Sequence, residues 1–100
     1  MGKKNCPVAR TVNVIGGKWT LLILRDLFDG TRRFGELRAS LTGISPKTLT
    51  EKLRILEQEG IIERKIYPEV PPRVEYSLTK RGQMLEPIFE AMRAWGTQWA

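Results

Sequence analysis

The sequence predicts a mainly α-helical domain with one small β-hairpin, and three observations carry that prediction. Apolar residues recur at helical spacing along most of the chain, Leu49, Leu53 and Leu56 forming the clearest stripe. After Gly60 the period shortens from about 3.6 to about 2, so that Ile62 and Ile66 share a face in one segment and Val74, Tyr76 and Leu78 in the next. Ser45-Pro46, Gly60 and Thr79 supply starts and stops at the places where the period changes. One hundred residues suit a single domain with one modest core.

Met1 to Asn5 reads as a short basic tail bearing Lys3 and Lys4. Cys6-Pro7 opens a helix in which Val8, Val12 and Ile15 share a face, and Gly16-Gly17 ends it. A second helix runs from about Lys18 to Phe28. Its Leu21-Leu22-Ile23-Leu24 run is apolar almost all round, as in a buried central element. Asp29-Gly30 closes it, and Thr31-Arg32-Arg33 leads on, either as a solvated loop or as two cations beside a phosphate backbone. Phe34, Leu37 and Leu41 are spaced as one face of a short helix, and Thr42-Gly43-Ile44 forms a tight link.

Ile44 to Gly60 is the stretch around which the chain is organised. Ser45 caps free amides, Pro46 suits the first helical position, and Gly60 takes the left-handed stop position. Opposite the leucine stripe lie Lys47, Thr50, Glu51, Arg54 and Gln58, groups of the kind that read base edges and phosphates. Two helices joined by a short glycine-containing turn form a helix-turn-helix, the second being the reader. The plainer reading of this segment is a helical hairpin with a solvated outer face.

The two alternating segments that follow read as antiparallel strands, joined by Pro68-Glu69-Val70-Pro71-Pro72 as a stiff, protruding loop with Arg73 at its base. A projecting hairpin directly after a reading helix is a wing, with Arg64, Lys65 and Arg73 as candidates for backbone or minor-groove contact. A sheet edge guarded by charge and proline is the structural alternative. Thr79 caps a last helix that Pro87 should kink or split near Leu85–Glu86. Its stripe of Leu85, Ile88, Phe89, Met92, Trp95 and Trp99 is wider than a small core can absorb, which predicts a dimerisation element packing with the partner's N-terminal helix. Folding back over its own core is the other possibility.

Composition narrows the function. Net charge is +6, favouring a polyanionic partner, although the excess lies mostly before residue 44, with eight Lys/Arg against three Asp/Glu. There is no histidine and one cysteine, so zinc sites of the Cys/His type, histidine-dependent catalysis and a disulfide within the chain are excluded. No cofactor is expected and no phosphate loop or paired-carboxylate pattern is recognisable. No apolar run approaches the ~20 residues of a membrane span and no secretion signal is recognisable, so the expected location is the cytoplasm. Cys6, at a helix start near Lys3, Lys4 and Arg10, has a setting suited to a reactive thiol, or is simply a small packed residue.

Cys6-Pro7-Val8, the VIGGKWTLLIL run from Val14 to Leu24, RRFGELR from Arg32 to Arg38, the stretch from Ile44 to Arg64, and YPEVPPRVEYSLTKRG from Tyr67 to Gly82 together resemble the HxlR-type winged-helix transcriptional regulators, relatives of the MarR group. The resemblance covers nearly the whole chain in order and spacing. It implies a winged helix-turn-helix homodimer with a helix of each subunit in successive major grooves of a pseudo-palindromic operator. It also implies an oxidant, electrophile or small-molecule effector, with the cysteine matching Cys6 as a sensor in some members. A single cysteine excludes schemes that need a resolving cysteine in the same chain.

The expectation is therefore a cytoplasmic, dimeric, sequence-specific DNA-binding regulator, a repressor rather than an activator and not an enzyme. Arg32, Arg33, Ser45, Lys47, Thr48, Thr50, Glu51, Arg54, Arg64, Lys65 and Arg73 are the expected DNA-binding residues. Val8, Val12, Phe89, Met92, Trp95 and Trp99 are the expected dimer interface. A winged-helix protein–protein module that binds no DNA remains the rival, and the salt dependence of binding to random duplex separates the two.

Overall fold

Pro7 at the first helical position starts α1 (Pro7–Ile15), and Gly16 ends it with its N–H donating to the Val12 carbonyl at 2.7 Å. The structure is a computed structural model and describes residues 6–100. The basic Met1–Asn5 segment, with Lys3 and Lys4, lies outside the described residues. Helix α2 (Lys18–Phe28) is the central element that its apolar run requires: Ile23, Leu24 and Leu27 are buried and Leu21 and Leu22 partly so.

Helices α3 (Phe34–Ser40) and α4 (Pro46–Gln58) follow, joined through the Thr42–Gly43–Ile44 turn. Glu36 accepts a hydrogen bond from the Arg33 backbone N–H at 2.8 Å, tying down the start of α3. Ser45 Oγ accepts from the Thr48 N–H at 3.0 Å, the N-cap that Ser45-Pro46 predicts. Leu49, Leu53 and Leu56 are buried along α4, and Gly60, at φ +75°, turns the chain out of the helix where a side chain would be strained.

Strands β2 (Ile62–Tyr67) and β3 (Arg73–Leu78) pair antiparallel from Ile62 opposite Leu78 to Tyr67 opposite Arg73. The sequence does not predict one further strand: β1 (Arg32–Arg33) pairs with β3, giving a three-stranded sheet in the order β1-β3-β2. The segment expected as a loop is thus the sheet edge, Arg32 opposite Tyr76 and Arg33 opposite Glu75. Two residues are too few to show an alternating pattern, and only their pairing with β3 makes them a strand. Ile62 is buried as its spacing predicts, but Ile66, on the same face, is 57% exposed because the hairpin has by then left the core.

Thr79 caps α5 (Lys80–Gln83), and Pro87 stands in the first turn of a separate helix, α6 (Glu86–Trp99), so the predicted split occurs. Phe89 is buried and its ring meets that of Phe28 with centroids 4.9 Å apart. Beyond it every residue of α6 except Gly96 is exposed. The projecting helix contributes to an elongated shape of 51 × 30 × 25 Å, with a radius of gyration of 14.6 Å against about 13 Å for a compact domain of this length.

Candidate nucleic-acid interface

Burial of the leucine stripe of α4 fixes which residues face outward. Lys47, Glu51 and Arg54 are exposed, while Thr48 and Thr50 are half-buried at the edges of that face. The Ser45 hydroxyl is engaged twice, accepting from the Thr48 N–H and donating to Thr48 Oγ1 at 3.0 Å. Ile55 is 46% exposed on the same outer surface, an aliphatic group that the leucine spacing does not single out. The helical wheel carries its signal, because it lies four residues, about one turn, beyond Glu51.

The hairpin bears its cations unequally. Arg64 projects on the α4 side of the sheet, with Nε 3.8 Å from a Glu57 carboxylate oxygen. It faces Tyr76 across the ladder; burial pushes the Tyr76 phenol above its ordinary range, and the Arg64 guanidinium opposes this. Lys65 lies on the other face, its ammonium 5.4 Å from the Tyr67 ring centroid. Arg73 departs from the sequence expectation of an available cation. Its guanidinium is 4.0 Å from the Tyr67 ring centroid, and its two terminal nitrogens are held by Glu69 at 2.9 Å and Glu75 at 3.1 Å. Two carboxylates and an aromatic face occupy it, so it braces the loop from within. The tip it braces carries Val70, fully exposed, and Glu69, and offers no cation of its own.

Arg32 and Arg33 flank α3 on the opposite sheet edge, Arg32 half-buried with Nη1 donating to the Thr31 carbonyl at 3.1 Å and Arg33 exposed. Glu36 and Glu75 line the same depression, so acid and base alternate there. A reading helix capped at its exposed end, a preceding helix joined by a short turn, and a hairpin directly behind it form a winged helix-turn-helix. Residues 14–100 match the model of the HxlR-like helix-turn-helix proteins. The chain belongs to the HxlR-like family.

An HTH-type transcriptional regulator of Synechocystis sp., sll1512, is 52% identical over 94 residues, covering 94% of this chain and 70% of that protein. The redox regulator HypR in its oxidized form superposes with a TM-score of 0.90 at 46% identity, covering 95% of this chain and 98% of that one. The reduced form of the transcriptional regulator YodB from B. subtilis gives a TM-score of 0.81 at 40% identity, covering 95% and 94%. This HxlR-like protein is a sequence-specific DNA-binding transcriptional regulator.

The remaining expected residues of the HxlR-like chain fall into two groups. Val8 and Val12 on α1 are 70% and 57% exposed, and Met92, Trp95 and Trp99 on α6 are 44%, 63% and 68% exposed. Val8, Val12, Ile88 and Met92 line one apolar depression between α1 and α6, and Met92 and Trp95 continue it along α6. Phe89 does not belong with them: at 5% exposure, its ring tilted against that of Phe28, it is a residue of the chain's own core. Helical spacing puts it on the stripe, but the stripe wraps from the core side of α6 to the outer side. Cys6 precedes α1 half-buried, its carbonyl accepting from the Arg10 N–H at 2.9 Å. Among the described residues no group of three or more His, Cys, Asp or Glu is placed to hold a metal ion, and no helix is long and apolar enough to cross a membrane.

Proposed function

We propose that the protein is a cytoplasmic, homodimeric repressor that acts by binding alone, without catalysis. Two copies of α4 enter successive major grooves of a pseudo-palindromic operator. The observation that carries this reading is α4 itself: Lys47, Glu51 and Arg54 stand exposed on one face of a helix anchored by three buried leucines. Lys47, Thr48, Thr50, Glu51 and Arg54 contact bases and phosphates, and Ile55 adds an apolar contact of the kind thymine methyl groups accept. Ser45 holds the helix start and touches a phosphate. Arg64 and Lys65 reach the backbone from the wing, and Arg32 and Arg33 from the sheet edge.

The dimer forms through α1 and α6. Val8, Val12, Met92 and Trp95 line adjoining apolar depressions, and Trp99 stands exposed one turn further along a helix that projects from the core. Surfaces of that kind are interaction sites. Selection of bound fragments from random duplex, followed by footprinting and sedimentation, tests the whole reading. The expected result is a dimer protecting two half-sites about one helical turn, or a multiple of it, apart. A monomer retaining full operator affinity overturns it.

Cys6 is the proposed sensor of oxidants or electrophiles, in line with the description of the similar HypR as a redox regulator. Diamide takes two electrons from two thiols, which end as a Cys6–Cys6 bridge across the dimer or as a mixed disulfide with a small thiol; peroxide can also leave a sulfur oxide. Either product lies beside the α1 apolar surface and alters the spacing of the reading helices. Operator affinity should change after mild diamide in the parent and stay constant in Cys6→Ser. Oxidant-insensitive binding returns Cys6 to packing.

A further inference from the structure

The turn that ends the reading helix is fastened to the start of α5. Thr79 Oγ1 donates to the carbonyls of Gly60 at 2.6 Å and Ile61 at 3.1 Å, and the Thr79 N–H donates to Ile61 at 3.0 Å. Gly82 packs so closely here that a Cβ would collide with the Ile61 carbonyl. Between this junction and α1 lies a cleft of about 430 Å³, walled by Val14, Ile15, Ile61 and Leu85, with Arg10 and Arg81 at its polar margin. That volume falls within the ~300–1,000 Å³ of small-molecule sites. Among the described residues its lining holds two guanidinium groups and no acid. Arg81 is exposed and makes no ion pair with a described residue. The cleft uses the Pro7–Arg10–Val14 flank of α1, whereas Val8 and Val12 line the adjoining apolar depression that reaches Met92; Thr11 and Ile15 border both.

We propose that this cleft is an effector site for a small organic carboxylate with an apolar body, and that its occupation is felt by α4. A guanidinium fork matches a planar carboxylate in two parallel hydrogen bonds. The four aliphatic walls take the body. An occupant touches Arg81 and Ile61, which flank the Thr79–Gly60 fastening, and α1 on its other side. The coupling to DNA rests on the regulator reading above; binding itself does not. Coupling is reciprocal, so operator DNA weakens carboxylate binding by the factor with which the carboxylate weakens operator binding.

The test is calorimetric titration of the full chain with octanoate, benzoate and 1-naphthoate, each against its neutral amide. At least one acid should bind saturably, once per chain, and about tenfold or more tighter than its amide. Arg81→Gln should remove that preference and Arg81→Lys retain part of it. Absence of binding by all three acids, equal binding of acid and amide, or a folded Arg81→Gln that binds like the parent overturns the site. The acid–amide comparison needs no variant, so a misfolded substitution does not shield the proposal. Saturating acid that leaves operator affinity unchanged overturns the coupling, whereas failure of the unliganded protein to bind any duplex overturns the regulator reading instead.

Discussion

Arg73 lies with its guanidinium 4.0 Å from the centre of the Tyr67 ring, across the mouth of the proline-rich loop. The two residues are cross-strand partners at the end of the β2–β3 ladder, and Arg73 also gathers Glu69 and Glu75. The stack and the ion pairs together hold the loop against the end of the hairpin. Arg73→Ala should therefore lower stability by about 1 kcal/mol and loosen the tip, while leaving the salt dependence of DNA binding unchanged. Arg64→Ala, on the α4 side, should flatten the log–log salt slope by about 0.9 for each phosphate that its guanidinium neutralises in the parent, and more than Lys65→Ala does. An Arg73→Ala slope as flat as that of Arg64→Ala would return Arg73 to the DNA.

The exposed face of α4 carries the specificity. Arg54→Ala should cost about 1–3 kcal/mol of operator binding if its fork reads a guanine, and relax preference at one position. Lys47→Ala should weaken all duplexes alike, and Gln58→Ala should do little, because the N-terminal half of a reading helix enters the groove. Parent-like binding by both Arg54→Ala and Lys47→Ala would mean that another face of the helix is used.

Phe89 and Trp95 share a helix but not a role. Phe89→Ala should lower stability by about 3–5 kcal/mol through the cavity left against Phe28, whatever the association state. The double change Met92→Glu and Trp95→Glu acts on exposed residues, so unfolding should stay cooperative while sedimentation shifts to the monomer. A double variant that still sediments as a dimer places the interface elsewhere.

Two glycines make a paired test of the α5 junction. A side chain at Gly82 meets the Ile61 carbonyl, so Gly82→Ala should cost about 2 kcal/mol or more. Gly35, in helix α3, has no atom within 4 Å of an added Cβ, and Gly35→Ala should gain about 0.5–1 kcal/mol. Denaturant midpoints of the two variants check both signs, and equal midpoints would remove the close packing at Gly82.

Tyr76 predicts an alkaline limit. Its folded-state pKa is raised from 10.0 by burial, so the stability it contributes is complete below about pH 10 and is lost as pH rises through the raised folded-state value. Urea midpoints of the parent should fall more steeply above pH 10 than those of Tyr76→Phe. Parallel curves would show that the phenol does not titrate differently on folding.

What the sequence determined by itself are the features that local chemistry encodes. Ser45-Pro46 and Gly60 bound α4 because a cap, a pre-set φ and a left-handed stop act within a few residues. The leucine spacing settled which side of α4 is buried, and Pro87 where the last helix divides. Only the tertiary structure decided the rest. Arg32–Arg33 becomes a strand because β3 offers a free edge, a partner more than forty residues away that no local pattern announces. Arg73 is tied up because the hairpin brings Tyr67, Glu69 and Glu75 around one guanidinium. Phe89 leaves the apolar stripe for the core because Phe28, on α2, is there to meet it. The cleft beside Arg81 exists only because α1, the Gly60–Ile61 turn and α5 converge. Each depends on residues far apart in the chain, and long-range packing is the term that local propensity does not contain.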